Sequence, residues 1–156
     1  MKTLILYATK YGAAKEIAER IAKLVPESTT CDVKSDSIPP ISDYDCIIIG
    51  SSLYAGTIRK EAKAFLSANT DALKTKRIGL FLAGMSPAEE SSYFETNFPP
   101  DLVENAIAKS LVGGVFDPQK SGVFERMIMK AVTKQSGYIN TISDERIEKF
   151  AETLLN

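Results

Sequence analysis

The chain is punctuated by short, unbroken apolar runs. Thr3-Leu4-Ile5-Leu6-Tyr7, Cys46-Ile47-Ile48-Ile49 and Leu80-Phe81-Leu82-Ala83 contain no charged residue and no polar-apolar alternation. A strand with one face in water alternates apolar and polar side chains, whereas an unbroken run marks a strand covered on both faces. Between the runs lie stretches with helical spacing. Ile17, Ile21, Leu24 and Val25 recur after Gly12, with Lys15, Glu16, Glu19, Arg20 and Lys23 opposite them, until Pro26 ends the pattern. Buried strands alternating with amphipathic helices predict an α/β fold, a parallel sheet with helices on both faces.

The same reading predicts strands over 2–7, 30–35, 45–50, 77–83 and 110–116. Helices are expected over 58–68, within 88–98, and from Pro99-Pro100 to 109, with proline near the first turn where it is tolerated. A last helix starts near Asp144 with Ser143 as its N-cap and buries Ile147, Phe150, Ala151 and Leu154. The Pro39-Pro40 loop carries the chain from the second strand to the third. At 156 residues the length suits one domain, 1–156, and an extra helix over 123–135 forms a helical insertion at about 117–141.

Composition removes several kinds of chemistry. The chain has no histidine, so Ser-His-Asp and Cys-His hydrolases, histidine-ligated zinc and histidine phosphocarriers are excluded. The net charge of -1 lacks the basic excess of a nucleic-acid binder. Cys31 and Cys46 are not spaced as a metal or redox pair and read as buried free thiols. No run approaches the ~18 apolar residues of a membrane span. The chain opens on a strand and not on a signal peptide, so the cytoplasm is the expected compartment.

In open α/β sheets ligands sit at the carboxyl ends of the strands. Three loops are expected there: 8–14, 51–57 and 83–86. In the first, Gly12 leads into a helix N-terminus whose free N–H groups suit a phosphate, with Thr9 adding a hydroxyl and Lys10 a charge. No GxxxxGK[ST] or GxGxxG follows the first strand. A receiver domain would need acidic residues where Ala8-Thr9 and Gly50-Ser51 stand. A cysteine-dependent phosphatase would need an arginine five residues after a cysteine, and Asp36 and Ser51 occupy those places.

These three loops carry a resemblance. Leu4 through Ala18, with Thr9-Lys10-Tyr11-Gly12-Ala13-Ala14 at its centre, resembles the first strand and FMN-phosphate loop of the flavodoxin family. Ile47 through Gly50, leading into Ser51-Ser52-Leu53-Tyr54-Ala55-Gly56, is similar to that family's third strand and first isoalloxazine loop. Gly79 through Ala83-Gly84-Met85, with Ser86 following, is similar to its fourth strand and second flavin loop. The resemblance covers nearly the whole chain. It implies a flavodoxin-like three-layer sandwich with a five-stranded parallel sheet in the order 2-1-3-4-5. It also implies one FMN per chain, one- and two-electron transfer, and redox partner proteins. Tyr54 is the residue placed to stack on the ring, and Gly56 has the backbone freedom for a peptide flip beside it. The chain departs from the family pattern in Ala14, where a hydroxyl residue is usual, in lacking tryptophan, and in a net charge less acidic than small electron shuttles carry.

The insertion separates the possible functions. Val123, Phe124, Met127, Ile128, Ala131 and Val132 form an apolar stripe, widened by Met129, and Arg126, Lys130 and Lys134 outnumber Glu125. Such a helix either caps the sheet or meets an apolar partner or a membrane surface through 123–135. The stretch from Gly114-Val115-Phe116 to Phe124 through Lys130 also resembles, in kind, the helical insertion after the fifth strand of flavodoxin-like protoporphyrinogen oxidases. Three functions therefore stand: an FMN-binding electron-transfer protein, a flavin-dependent oxidoreductase of the protoporphyrinogen-oxidising type, and a cofactor-free interaction module, to which Ala14 points.

Overall fold

The computed structural model describes residues 1–133 and 137–156. β1 (Thr3–Ala8) is buried along its whole length. It is flanked by β2 (Ser28–Asp32) and β3 (Cys46–Tyr54), both parallel to it, with Leu6 opposite Cys31 on one side and Ile49 on the other. β4 (Thr57–Ile58) turns back antiparallel onto the end of β3. β5 (Arg77–Ala83) and β6 (Ala108–Gly113) complete the order β2-β1-β3-β5-β6. Counting only the parallel strands, this is the expected 2-1-3-4-5.

Successive side chains of a strand point to opposite faces, and each central strand divides its apolar residues accordingly. Leu4, Leu6, Ile47, Ile49, Leu80 and Leu82 pack on one side with Ala62, Phe65, Leu66, Phe94 and Leu102. Those partners come from α2 (Lys60–Leu73), α3 (Glu90–Asn97) and α4 (Pro100–Asn105). Ile5, Tyr7, Ile48 and Phe81 pack on the other side with Ile17, Ile21, Phe150 and Leu154. These belong to α1 (Ala13–Leu24) and α6 (Asp144–Leu155). Burial on both faces is the reason that the runs are unbroken. Arg20 ties the two helices of the second layer, bonding Asp144 at 2.7 Å and also Glu16. Ser143 caps α6, accepting from the Arg146 N–H at 3.2 Å.

Several boundaries differ from those the sequence predicts. The second strand lies at Ser28–Asp32 and not at 30–35, because it takes its register from β1. α2 starts and ends later than 58–68, since Ile58 pairs with Leu53 in β4. α4 stops at Asn105, leaving Ala108 to start β6. The expected strand over 110–116 is two strands. Gly113 has φ +121, and a Cβ there would lie 2.1 Å from the Thr141 carbonyl oxygen. The chain turns at this glycine, and β7 (Val115–Phe116) leaves the sheet to pair with β8 (Ile139–Asn140). Between β7 and β8 stands α5 (Val123–Thr133). Lys134 and Gln135 of the expected helix, and the side chains of Phe124, Ile128 and Val132 in its expected stripe, lie outside the described residues.

Both cysteines are free and buried. Cys46 is fully enclosed at the start of β3, and burial pushes its thiol up to about 11. The native thiol therefore keeps its proton under conditions where an unfolded one loses it. Its contribution to stability is complete below the ordinary value of 9.0 and is lost as the pH rises through about 11. Native protein at pH 8 is expected to leave Cys46 unmodified by a thiol reagent over the time in which denatured protein reacts fully. Stoichiometric labelling of Cys46 without unfolding would contradict this burial.

Candidate functional site

Chain order reverses across β1 and β3: the connection after β1 runs outward to β2, and the connection after β2 returns past β1 to β3. The crevice at the carboxyl ends of those two strands is the place where open α/β sheets take ligands. The residues there fall into the three expected groups.

The loop after β1 ends at Gly12, which stands as the N-cap of α1 with φ +101 and nothing within 4 Å of a Cβ built on it. Its N–H donates to the Thr9 Oγ1 at 2.9 Å, so the Thr9 hydroxyl proton is left to point elsewhere. Among the described residues no side chain caps α1. The first-turn N–H groups of a helix have no carbonyl four residues back, and here they open toward the loop with the positive end of the helix dipole. Ala14 is fully buried in the core beneath α1. Its side chain is a packing residue.

The second group is a hairpin, where the sequence predicts a loop over 51–57. β3 continues to Tyr54, and Ala55 and Gly56, with φ of +50 and +76, make the turn to β4. Two successive positive φ values match the handed twist of the strands they join. Ser51 is fully buried. Its hydroxyl donates to the Ser52 carbonyl and accepts from the Arg59 N–H, both at 2.9 Å, so it fastens the base of the hairpin. Leu53 packs against the core. Tyr54 projects from the tip, 40% exposed.

Asn97 holds this hairpin, and nothing in the local sequence pattern marked it. From the end of α3 its Nδ2 donates to the Gly56 carbonyl at 2.8 Å, and its Oδ1 accepts from the Ile58 N–H at 3.0 Å. A flip of the Gly56 peptide must break the first of these bonds. The third group, Ala83 to Ser86, is held by the Gly84 N–H donating to the Gly113 carbonyl at 3.0 Å. Ala83 is buried, while Gly84, Met85 and Ser86 are half-buried.

The insertion reaches the site. Glu125 of α5 accepts from Lys10 Nζ at 2.5 Å and from the Tyr11 hydroxyl at 2.6 Å. Burial pushes the Glu125 carboxyl up, but these two hydrogen bonds outweigh it and hold the group below its ordinary value. The same contacts hold Lys10 above its own. The Lys10 ammonium also lies 5.0 Å from the Tyr11 ring centre and 5.2 Å from that of Tyr54, within cation–π range. One lysine thus joins the loop after β1, the hairpin and α5. Separately, a groove of about 550 Å³, lined by Ile107, Lys109, Arg146 and Lys149 among others, includes none of the residues of these loops.

The profile of the flavodoxin domain matches residues 4–141, which takes in all three groups. The chain belongs to the flavodoxin family. The fold agrees with solved flavodoxins. That of Streptococcus pneumoniae TIGR4 is 17% identical, with a TM-score of 0.63 over 99% of this chain and 98% of its own. Flavodoxin 1 of Bacillus cereus is 18% identical, with a TM-score of 0.58 over 99% and 97%. A Fusobacterium nucleatum flavodoxin bound to flavin mononucleotide is 20% identical, with a TM-score of 0.52 over 75% and 72%. At such identities the likeness establishes the fold. No curated protein sequence matches the chain.

Because Asn97 supplies both hydrogen bonds that hold the hairpin from outside, Asn97→Ala is expected to cost about 1–3 kcal/mol in chemical denaturation. It is also expected to speed hydrogen exchange at the Ile58 amide while leaving exchange in β1 unchanged. An unaltered Ile58 rate would show that the hairpin holds without it.

Proposed function

We propose that this flavodoxin-family protein is an electron-transfer protein that works through bound FMN and exchanges electrons with redox partner proteins. The observation that carries the proposal is the uncapped N-terminus of α1 behind Gly12, at the point where the strand order reverses. Flavodoxins are themselves among the folds from which the rule of ligand binding at such reversals is drawn. The residues present fit the cofactor. The cradle has free N–H groups, space over Gly12, a Thr9 hydroxyl and the Lys10 charge, all suited to a phosphate. The hairpin offers an exposed aromatic face in Tyr54, and the half-buried residues 84–86 form the other wall for a flat ring.

When bound, FMN supplies the one- and two-electron chemistry, and the protein supplies binding, orientation and electrostatics. Thr9 and the N–H groups of α1 hold the phosphate. Tyr54 and Met85 screen the ring from water. Ala14 lends support to a cofactor-free module only if a side-chain hydroxyl at that position is needed, and its burial gives the position to packing. With no histidine in the chain, no side chain with an ordinary titration near neutrality stands in these loops. Lys10, whose ordinary titration lies far above neutrality, stays charged there and acts as a fixed cation. These loops would therefore offer bound FMN no side-chain proton donor near neutrality, and that role would fall to solvent. The cytoplasm is the compartment this reading favours, and among the described residues no helix is long and apolar enough to cross a membrane.

Purified protein, supplied with FMN if it is colourless, is expected to show flavin absorption bands and saturable quenching of flavin fluorescence. Tyr54→Ala should weaken FMN binding by about tenfold, the scale of one lost aromatic stack, without unfolding the protein. Absence of any FMN binding would sink the proposal.

One observation favours the oxidoreductase reading with an apolar or membrane partner. Val123 and Met127 lie one helical turn apart on α5, 67% and 66% exposed, beside the exposed Arg126 and Lys130. Apolar residues flanked by basic ones suit a lipid interface. If α5 docks there, the protein should co-sediment with vesicles containing anionic lipid, and Met127→Glu should abolish this. Failure of the wild type to co-sediment removes the membrane contact from the reading.

A further inference from the structure

We propose that Glu125 is a built-in competitor for the FMN phosphate: its carboxylate holds the Lys10 ammonium and the Tyr11 hydroxyl of the loop after β1, and cofactor entry releases the start of α5. The proposal rests on the FMN reading of the site and adds to it a coupling between the cofactor and the insertion.

Lys10 is the only charged residue between Thr9 and Ala14. Its ammonium lies 2.5 Å from Glu125 Oε1, and the single phenolic proton of Tyr11 is spent on Glu125 Oε2 at 2.6 Å. Both carboxylate oxygens are thus satisfied by two successive residues of the cradle loop. Glu125 stands 115 residues from Lys10 in the chain, so the contact is a product of how the insertion is folded back. The carboxylate is also the more enclosed partner, with its side chain 15% exposed against 39% for Lys10.

An FMN phosphate in this cradle brings up to two negative charges beside that carboxylate. Like charges at close range repel, and the phosphate is the stronger claimant on an ammonium and a hydroxyl. Lys10 and Tyr11 then exchange a protein carboxylate for the ligand. α5 loses its two polar anchors on the loop, while its exposed Val123 and Met127 remain available to whatever it meets. A ligand shifts such an equilibrium only by its differential affinity for the two arrangements. Here that difference is the cost of displacing Glu125.

The test compares wild type with Glu125→Gln, which keeps the shape of the side chain and removes its charge. FMN affinity is measured by flavin fluorescence. Tryptic cleavage after Arg126 and Lys130, both exposed, reports release of α5. Circular dichroism checks folding, and Tyr11→Phe provides a second route to a weakened contact. Glu125→Gln is expected to bind FMN about tenfold more tightly and, free of ligand, to be cleaved faster than wild type. FMN added to wild type should raise its cleavage toward the rate of the variant, and Tyr11→Phe should raise ligand-free cleavage as well. The competition is overturned if wild type binds FMN and Glu125→Gln binds it no more tightly, or if FMN protects α5 from cleavage. If neither protein binds FMN, the cofactor reading itself falls and the competition falls with it. If only Glu125→Gln binds FMN, the competition is supported in its strongest form.

Discussion

The fold depends on β1 and β3 being buried on both faces. Their side chains alternate between two separate cores, one shared with α2, α3 and α4 and the other with α1 and α6. Such strands bring their backbone groups out of water, and a parallel ladder on each side satisfies them. Joining parallel strands beneath these helices requires their connections to cross over the sheet. The reversal of direction between β1 and β3 follows, and with it the crevice where the loop after β1 and the hairpin meet.

The site is assembled from backbone more than from reactive side chains. Gly12 opens a helix end, Gly113 turns the chain so that the loop after β5 is held, and the Ala55-Gly56 turn presents Tyr54. Ser51 and Asn97 act by fastening the hairpin from below and from the side. Arrangements of this kind position a cofactor and set the field around it, and leave the chemistry to the cofactor.

The parts legible in sequence were those written in local pattern. The runs at 3–7, 46–49 and 80–83 announced buried strands, and the change of period after Gly12 announced α1. Ser143 was legible as a cap because the cap residue and the N–H that it satisfies lie three positions apart. Strand ends were less legible. Nothing local told β3 to continue to Tyr54, because Ser51 and Ser52 read as loop residues until β1 and β5 pair with them and the Arg59 N–H reaches the Ser51 hydroxyl. The division of 110–116 into β6 and β7 depended on the Thr141 backbone lying against Gly113. Ala14 looked like a gap in a binding loop until the core beneath it came into view.

The sequence by itself determined the alternation of buried strands and amphipathic helices, the strand-loop-helix cradle at Thr9 to Ala14, and the exclusion of histidine chemistry. These depend on residue type and short-range periodicity. Only the tertiary structure decided that Asn97 holds Gly56 and that Glu125 reaches Lys10 and Tyr11. Each of those contacts joins residues far apart in the chain, and a polar side chain carries no local signal of the partner it will meet. That pairing is set by the paths of the connections, and the connections become definite once the two cores have closed on the sheet.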